Sequence, residues 1–424
     1  MSSRIPGFYK LRPNERLTAL GVGQREVEAY RTGLSLEAAD LMVENVISTF
    51  GLPCAVAVNF LINGRERVVP MVVEEPSVVA AVSNVARLTR ADGGFTAESD
   101  PGHMLGQIQL ARVADPAGCV ARLRDALPRL LAAGRGVHPR LEERGGGLVS
   151  FEVRHVVYDE PGRPREDMVV LQFVLDVVDA MGANMVNTMA EHLAPIVAEV
   201  TGEAVGLKIL SNLADRRRSR ARVVLSPSAL TTDEMDGVEV VERITAAWRF
   251  AWADPYRAAT HNKGVMNGID AVAIATGNDW RAIEAGAHAF CCRDGQYRPM
   301  TRWELRPDGK LEGSIDVPLQ FGTVGGPIRV HPTVQQNLKL IRVEGAQELA
   351  AIAAAVGLAQ NLGALKALAT EGIQNGHMRM HARTVAATAG ARADEVHSVT
   401  AELCRTHDFS VDRARAVIAR LRQP

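Results

Sequence analysis

Residues 148–176 read LVSFEVRHVVYDEPGRPREDMVVLQFVLD, two apolar runs on either side of a polar segment that contains Pro161, Gly162 and Pro164. Proline and glycine break regular structure, whereas valine and phenylalanine favour strands. The stretch therefore predicts two strands, Leu148–Tyr158 and Met168–Asp176, joined by a hairpin turn. This hairpin decides the fold, because the elements on its two sides follow the same order.

The elements that flank the hairpin complete a known motif. A strand at Gln107–Val113 and a helix at Gly118–Leu131 precede it, and a helix and then a strand at Gly206–Leu210 follow it. This order is the split β-α-β-β-α-β pattern of ferredoxin-like domains. We therefore predict a compact domain at residues 104–215 that is inserted into a larger one.

The larger region is predicted to be a mixture of helices and strands. Apolar residues at helical spacing predict a helix from Ser35 to Phe50, and the turn Asn63-Gly64 predicts a hairpin of the segments 55–60 and 66–73. A helix follows at 78–88. The alanine-rich residues 346–368 predict a long buried helix, in which Gly357 and Gly363 would allow close packing.

The fold class that we predict is therefore α+β. A large mixed α/β domain would contain residues 1–103 and 216–372, and the inserted ferredoxin-like domain would lie between these two segments. Residues 373–424 would form a small helical C-terminal domain with helices at 378–387, 393–404 and 411–421. Such a small terminal unit would be able to move as a lid.

The composition excludes several classes of protein. Hydrophobic residues make up 47% of the 424 residues, and 48 basic side chains nearly balance 49 acidic ones, so no charge excess favours nucleic acid or a membrane surface. Five scattered cysteines suit a reducing compartment. The N-terminus lacks the apolar core of a signal peptide, and no uninterrupted apolar run approaches the about 20 residues of a membrane helix. We expect a soluble, cytoplasmic protein.

Two segments offer charged side chains for catalysis. Glu74 and Glu75 precede Pro76-Ser77 at a predicted helix start, where acidic residues are also common because the helix dipole favours them. From Asp254 to Gly268 the chain is densely polar. In that run Arg257 would clamp a carboxylate, Lys263 would polarise a carbonyl and Asn267 would donate to the same ligand; the alternative is a solvated loop.

Asp279 and two histidines are further candidates. Asp279 follows the apolar run 271–275, as a ligand-binding loop residue would at the carboxyl end of a strand, although an aspartate there would equally cap a helix. His377 and His381 lie four residues apart on one helix face. A zinc site would need a third ligand, and none is close in sequence, so we expect no metal and favour a general acid that titrates near neutral pH.

The segment Asp179-Ala180-Met181-Gly182-Ala183-Asn184 is a glycine-containing turn that opens a helix. The N–H groups of such a turn can approach a pyrophosphate, although the usual G-x-G-x-x-G fingerprint is absent and packing explains the small residues almost as well. The basic run 216–220 lacks interleaved aromatic residues. A solvated turn or a contact to a cofactor phosphate fits it better than nucleic acid does.

Together these segments resemble the signature set of 3-hydroxy-3-methylglutaryl-CoA reductases. The resemblance spans nearly the whole chain, and the lack of a membrane region is similar to the soluble bacterial class II type. Each motif alone is of modest specificity, but six in the order of the family are highly specific: Glu44-Asn45-Val46-Ile47, Glu74-Glu75-Pro76-Ser77, Asp179 to Asn184, His261-Asn262-Lys263-Gly264, Gly277-Asn278-Asp279 and Gly376-His377-Met378.

The resemblance implies a catalytic set of Glu75, Lys263, Asp279 and His377. Two hydride transfers from NADH or NADPH would interconvert 3-hydroxy-3-methylglutaryl-CoA and mevalonate plus coenzyme A through mevaldehyde. Lys263 would stabilise the charge that builds on the carbonyl oxygen, and Glu75 would supply the proton. Asp279 would hydrogen-bond to both groups, and His377 would protonate the departing thiolate.

The resemblance also implies binding residues and an assembly. Four residues would hold the substrate, namely Glu44, Ser77, Arg257 and Asn267. The dinucleotide would contact Asp179, Met181, Gly182, Asn184 and Asn212. The inserted domain would then bind the cofactor, and the terminal helices would bring His377 in. Members of the family share sites between subunits, so we expect a homodimer or an assembly of dimers.

Three questions stay open at this point. The chain has Ser48 where the family has a glycine after Glu-Asn-Val-Ile, which affects the local backbone rather than the acid. The loop 135–143 offers Arg135, His138 and Arg140 beside Glu142 and Glu143, so both NAD and NADP remain compatible with it. A binding or regulatory protein that keeps the pockets without catalysis is the rival hypothesis, and nucleic-acid binding through residues 216–222 is a remote one.

Overall fold

Two β-sheets organise the part of the chain that this computed structural model describes, which comprises residues 2–370, 382–392 and 394–422. One sheet has six strands and the other has four. In chain order the strands are β1 (Cys54–Ile62), β2 (Arg65–Val72), β3 (Phe95–Ser99), β4 (His103–Leu110), β5 (Gly147–Tyr158), β6 (Glu166–Asp176), β7 (Val205–Ser211), β8 (Arg218–Leu225), β9 (Thr301–Leu305) and β10 (Leu311–Pro318).

Helices connect and cover these strands. In chain order they are α1 (Pro13–Ala19), α2 (Gln24–Thr32), α3 (Leu36–Asp40), α4 (Val78–Thr89), α5 (Pro116–Gly134), α6 (Pro139–Glu142), α7 (Ala183–Thr201), α8 (Pro227–Leu230), α9 (Gly237–Ala253), α10 (Pro255–Ala275), α11 (Trp280–Phe290), α12 (Gly326–Val330), α13 (Pro332–Ile341), α14 (Ala346–Ala369), α15 (Val396–Thr406) and α16 (Val411–Leu421). Residues 382–388 are also helical.

The four-stranded sheet contains the predicted split motif. Its strand order is β5-β6-β4-β7, all antiparallel, and α5 and α7 pack on it. The turn between β5 and β6 closes at the pair Tyr158 and Glu166, around the predicted breaker residues. The first strand begins and ends earlier than predicted, at His103–Leu110. This sheet has an apolar core of its own, which includes Leu123, Phe173 and Leu193.

The six-stranded sheet has the order β2-β1-β3-β8-β10-β9 and packs against α10 and α14. The predicted long helix is present as α14, and Gly357 allows the close packing that we expected, because a Cβ there would lie 2.8 Å from Ile269 Cγ1. By length and composition alone α14 would be able to cross a membrane, although, as predicted, polar residues such as Glu348, Gln360 and Lys366 interrupt its apolar run. Its most apolar window is 83% buried inside the protein, however, as in a core helix.

The hairpin turn at Asn63-Gly64 is confirmed. Both residues have positive φ values, 51° for Asn63 and 72° for Gly64, as the two-residue turn that matches the twist of antiparallel strands requires. Strands β1 and β2 pair on either side of it, with Ile62 opposite Arg65.

The predicted helix from Ser35 to Phe50 is wrong over most of its length. Only Leu36–Asp40 is helical, and Asn45 adopts a positive φ of 58°. Leu41, Ile47 and Phe50 are 87%, 93% and 91% exposed, so these apolar side chains find little to pack against among the described residues. Short helices gain most of their stability from such packing, which explains why the pattern alone does not produce a helix here.

The polar run 254–268 is a helix and not a solvated loop. Asp254 caps α10 by accepting a hydrogen bond from the N–H of Tyr256 at 3.0 Å, and Pro255 occupies the first helical position. The apolar run 271–275, which we expected to end a strand, is the last turn of the same helix. Buried residues at Val265, Ile269 and Val272 supply the apolar face that the polar residues obscure in the sequence.

The basic run 216–220 is divided between a turn and a strand: Arg216 lies in an exposed turn, as predicted, and β8 begins at Arg218. In β8 the Arg218 guanidinium lies 2.9 Å from the Asp316 carboxylate, and that of Arg220 lies 2.8 Å from Asp100. Arg222 pairs with Glu312 at 2.6 Å. Because these cations are neutralised inside the chain, they do not form a free basic patch.

The C-terminal helices 382–388, α15 and α16 enclose a small apolar cluster of their own, which includes Val385, Leu403 and Val417. The observed bounds of α15 and α16 are close to the predicted ones. The start of the first predicted terminal helix, at Met378, lies outside the described residues.

Candidate active site

Helix α10 is the scaffold of the candidate site, and two buried polar residues fix it in place. His261 is 2% exposed and its Nε2 lies 2.6 Å from Thr301 Oγ1, while the Asn262 side chain accepts from the N–H of Met300 at 2.8 Å and donates to the carbonyl of Arg298 at 2.9 Å. Burial, together with the positive charge of Arg257, lowers the pKa of His261 to about 3, so this imidazole is neutral at physiological pH.

The next residue, Lys263, points outward and meets an acid. Its Nζ lies 2.5 Å from Oε2 of Glu75, and the Asn267 side-chain amide donates to the same oxygen at 3.4 Å. Lys263 and Asn267 are four residues apart and so share one face of α10. Two predicted catalytic residues and one predicted substrate residue therefore meet within one chain, where a cation, an acid and an amide surround one point.

The pair is more open than a buried catalytic pair would be. The Lys263 side chain is 60% exposed and that of Glu75 is 31% exposed. Surface ion pairs contribute little to folding stability, typically about 0–1 kcal/mol, so stability alone does not account for this contact.

The backbone beside Glu75 is unusual. Ser77, the residue before α4, has a φ of 81°, a left-handed conformation that costs energy for any residue except glycine. Its Oγ is buried and has no hydrogen-bond partner among the described residues. Helix α4 therefore lacks the usual N-cap hydrogen bond from its serine, Ser77. The Ser77 hydroxyl stays available for a hydrogen bond to a ligand.

Two other predicted substrate residues are placed differently. Arg257 is half-buried on α10, its pKa is lowered by burial, and among residues 2–370, 382–392 and 394–422 no carboxylate lies within ion-pair distance of it. Such a guanidinium suits an external carboxylate. Glu44 lies in the exposed segment 41–50, and no contact joins it to Glu75 or Lys263 within this chain.

Asp279 lies away from the other catalytic residues in a single chain. It caps α11 by accepting from the N–H of Ala282 at 3.1 Å, and Arg281 lies 3.4 Å from its Oδ1. From Lys263 to Ala275 helix α10 rises about 18 Å, at about 1.5 Å per residue. The expected hydrogen bonds from Asp279 to Lys263 and Glu75 are therefore not made within one subunit, and the helix-cap alternative is the one observed.

The predicted dinucleotide turn opens α7, as expected. Gly182 caps the helix with a φ of 98° and without a side-chain hydrogen bond, so the first N–H groups of α7 have no capping side chain. Val178, just before the turn, has a φ of 52°, which is rare for a β-branched residue. His138 lies beside this helix start, where its Nε2 is 2.9 Å from the Met185 carbonyl.

The remaining predicted cofactor residues surround this turn. The carboxylate of Asp179 accepts from the N–H of Ala346 at 2.9 Å and so caps α14. Asn184 is in the first turn of α7, Arg140 is exposed on α6, and the Asn212 carbonyl accepts from Gln320 at 3.3 Å. The backbone of Met181 lies against Gly322.

Three residues at this turn were missed from the sequence. Arg217 is 3% exposed, and its guanidinium donates to the Ala180 carbonyl at 3.0 Å and to the Phe321 carbonyl. Gly322 packs backbone against backbone on the turn, and Asn278 bonds to Gly322. The glycine-rich run Gly322-Thr323-Val324-Gly325-Gly326 was the signal for a close approach of two backbones.

The remaining predicted catalytic residue, His377, lies outside the described residues, as does His381. Within the residues that are described, no group of three or more histidine, cysteine, aspartate or glutamate side chains is arranged to hold a metal ion.

Sequence comparison relates the whole chain to one family. The profile of the family described as hydroxymethylglutaryl-coenzyme A reductase matches residues 13–382. The chain is 47% identical to 3-hydroxy-3-methylglutaryl-coenzyme A reductase of Archaeoglobus fulgidus over 427 residues, which cover 100% of this chain and 95% of that protein. It is 33% identical to the probable enzyme of that name from Borreliella burgdorferi, over 90% of this chain and 86% of that one.

Solved structures agree with the sequence matches. The class II 3-hydroxy-3-methylglutaryl-CoA reductase of Streptococcus pneumoniae, bound to NADPH in open conformations, superposes with a TM-score of 0.81 at 39% identity, covering 97% of this chain and 100% of that chain. A second structure of the Streptococcus pneumoniae reductase gives a TM-score of 0.82 at 39% identity over 98% and 99% of the two chains.

Proposed function

The chain belongs to the hydroxymethylglutaryl-coenzyme A reductase family, and on that premise we propose that it interconverts 3-hydroxy-3-methylglutaryl-CoA and mevalonate plus coenzyme A. The observation that carries the proposal is the contact of Lys263 Nζ with Glu75 Oε2 at 2.5 Å, beside the Asn267 amide. A cation and an acid at one point are what the reduction of a thioester carbonyl requires.

The residues of this chain would act in two reductive steps. Two reduced nicotinamide cofactors, bound one after the other, would supply one hydride to the thioester and one to the aldehyde. In each step Lys263 would stabilise the negative charge that builds on the carbonyl oxygen, and Glu75 would provide the proton that this oxygen takes up. Between the steps the hemithioacetal would lose coenzyme A and leave mevaldehyde, and His377 would protonate the departing thiolate.

Substrate binding would use groups that have no partner among the described residues. In that part of the chain no carboxylate pairs with Arg257, which would receive the free carboxylate of the substrate in a bidentate contact. The Ser77 hydroxyl, buried and without a partner among the described residues, would donate to the same substrate. Asn267 and Glu44 complete the proposed substrate set.

The dinucleotide would bind at the start of α7. The first N–H groups of this helix, which no side chain caps, fit a pyrophosphate, and the helix dipole favours its negative charge. Besides the turn residues Asp179, Met181, Gly182 and Asn184, the proposed contacts are Asn212, His138 and Arg140.

We propose NADPH as the preferred cofactor. The carboxylate of Glu142 accepts from the N–H of Gly136 at 2.7 Å and is therefore occupied within its own loop, which leaves the exposed cations Arg135 and Arg140 beside one exposed carboxylate, Glu143. A free cation beside the nucleotide suits the added phosphate of NADP, and a free carboxylate would suit the ribose hydroxyl of NAD. The Streptococcus pneumoniae relative was solved with NADPH.

We propose further that the site is completed by a second subunit. Lys263 lies near the middle of α10 and Asp279 lies beyond its C-terminal end, and the helix rises about 18 Å between Lys263 and its last residue, Ala275. A twofold axis would bring Asp279 of one subunit to the Lys263–Glu75 pair of the other. The exposed apolar residues of segment 41–50, Leu41, Val43, Ile47 and Phe50, also favour burial by a second copy.

The domain assignment follows from these roles. Residues 104–215 would be the cofactor-binding domain, residues 1–103 with 216–372 the substrate-binding and dimerisation domain, and residues 373–424 a flap that delivers His377. The protein would work in the cytoplasm, in mevalonate synthesis for isoprenoids or in mevalonate breakdown.

A single assay tests the proposed reaction. The purified protein is given mevalonate, coenzyme A and either NADP or NAD, and the absorbance of the reduced nicotinamide is followed. We expect two reduced cofactors per mevalonate, with NADP preferred. The variant Lys263→Ala should lose about 1,000-fold in turnover or more, because it removes the charge that faces the oxyanion.

Lys310→Ala is the matched control for this assay. Lys310 also pairs with a carboxylate, Asp92 at 3.3 Å, but far along the chain from the site, so turnover should stay normal. Tight binding of the acyl-CoA by calorimetry with no absorbance change in the wild-type protein would instead favour a binding protein.

A further inference from the structure

Asn278 and Gly322 form a two-way contact, here called the Asn278 clasp. The Asn278 side-chain oxygen accepts from the N–H of Gly322 at 2.6 Å, and its side-chain amide donates to the Gly322 carbonyl at 3.1 Å. A third hydrogen bond, to Thr276 Oγ1 at 3.0 Å, holds the side chain to the end of α10. The clasp therefore fixes the backbone of Gly322 to the residue that precedes Asp279.

Gly322 in turn lies directly on the dinucleotide turn. A Cβ at this position would be 2.7 Å from the Met181 nitrogen and 3.1 Å from the Ala180 carbonyl carbon, so two backbones meet with no side chain between them. The N–H of Thr323 donates to the Asp179 carbonyl at 2.9 Å. Arg217, buried between them, donates to the carbonyls of Ala180 and Phe321.

The path from Asp279 to the turn is thus short and rigid. Asp279 follows Asn278 directly, and Asn278 is bonded to Gly322, whose backbone touches Ala180 and Met181. Each link is a backbone group or a side chain held by two or more hydrogen bonds, so the relative position of the two ends has little freedom.

We propose that Asn278 is a positioning residue that sets the distance between Asp279 and the bound nicotinamide cofactor. The inference rests on the proposed function, because it takes the turn as the cofactor site and Asp279 as the carboxylate that hydrogen-bonds to Lys263 and Glu75. Asn278 contacts neither reactant in this role. It holds the large domain to the cofactor turn where the backbone of Gly322 meets those of Ala180 and Met181, and misplacement by about 1 Å can cost 100-fold in rate.

The test is a kinetic comparison of two asparagine variants. Asn278→Ala removes the clasp, and Asn337→Ala removes an asparagine that also bonds to the end of α10, through the Ala275 carbonyl at 2.8 Å, but has no contact with the cofactor turn. For Asn278→Ala we expect kcat to fall by about 10- to 100-fold, with the KM of the acyl-CoA and the Kd of NADPH each within about threefold of wild type. The kinetic isotope effect with deuterated NADPH should rise, because hydride transfer becomes limiting.

Both variants should lose a similar amount of thermal stability, because each loses hydrogen bonds that are partly or fully buried. For Asn337→Ala, however, we expect kcat and the isotope effect to stay at the wild-type values. Equal kinetic constants in the two asparagine variants would overturn the proposal, as would a loss in Asn278→Ala that appears only in the KM of the acyl-CoA. If Asn278→Ala does not fold, the variant Gly322→Ala tests the proposal instead. Its new methyl group would push on the Met181 backbone and should give the same fall in kcat. An inactive wild-type protein would refute the proposed function itself. An active wild-type protein with equal kinetic constants in the two variants would refute only the positioning role of Asn278.

Discussion

A shared site makes a quantitative prediction about mixed dimers of Lys263→Ala and Asp279→Ala. Each variant alone should be nearly inactive. Within one chain the two residues are separated by about 18 Å of α10, so a site that uses both must take them from different subunits. In a dimer of one Lys263→Ala and one Asp279→Ala subunit, one site then carries both defects and the other carries none.

The expected activity of such a mixed dimer is about half that of the wild-type dimer, because one of its two sites is intact. The two variants would carry different affinity tags, be co-expressed, and be purified over both tags in turn so that only mixed dimers remain. Turnover would be measured as nicotinamide oxidation with the acyl-CoA.

The control uses a pair that the structure places in one chain. Glu75 contacts Lys263 at 2.5 Å within the subunit, so a mixed dimer of Lys263→Ala and Glu75→Gln has one defect in each site and should stay inactive. Recovery in this control, or no recovery in the Lys263 and Asp279 pair, would refute the division of the site between subunits.

Three further predictions concern stability. Burial lowers the pKa of His261 from 6.5 to about 3, so its contribution to stability is complete above pH 6.5 and is lost as the pH falls toward 3. At pH 5 the free energy of unfolding in urea should be about 2 kcal/mol lower than at neutral pH. The variant His261→Gln should remove this part of the pH dependence. Burial and a neighbouring carboxyl raise the pKa of Asp270 to about 9, so its contribution is present at acid pH and lost as the pH rises toward 9. Asp270→Asn should therefore be more stable than wild type at pH 8 by about 1–3 kcal/mol, and a less stable variant in calorimetry would contradict this sign. Gly106→Ala would drive a methyl group into the buried Phe173 ring and should cost about 1–3 kcal/mol, whereas Gly51→Ala, with open space around it, should unfold like the wild type.

Local chemistry explains which parts of the fold the sequence could predict. The β5–β6 hairpin and the Asn63-Gly64 turn follow from proline, glycine and asparagine, whose backbone preferences do not depend on distant residues. Helix α14 was predictable because its long alanine-rich run suits only a buried helix. These elements carry their structural information within a few residues.

The failures share one physical cause, which is that distant partners decide the outcome. Segment 41–50 has an apolar helical pattern, but most of its large apolar side chains stay exposed in the part of the chain that the structure describes. Helix α10 looked like a loop because His261 and Asn262 are polar, yet both are buried and bonded to residues about 40 positions away in the chain, Thr301 and Arg298. No pattern of neighbouring residues reports such partners.

In the candidate site too, the sequence predicts which residue types are present, whereas distant contacts decide where these residues lie. The motifs identify Glu75, Lys263 and Asp279 by residue type, and the contact of the first two follows from the packing of α10 beside the β2–α4 connection. The position of Asp279 depends on the length of α10, and the polar residues of this helix do not predict a helix. The separation of Asp279 from Lys263 could therefore not be predicted from the sequence.

Helix α10 consequently has a role that no single motif suggests. Its first thirteen residues include Arg257, Lys263 and Asn267, and its end leads into the Asn278 clasp and Asp279. If two subunits share each site, one α10 serves the substrate side of one site and the cofactor side of the other. The helix is held along its length by α14, which it approaches so closely that a Cβ at Gly268 would lie 2.9 Å from the Val356 carbonyl oxygen. A rigid helix of this kind would keep the two halves of neighbouring sites at a fixed spacing.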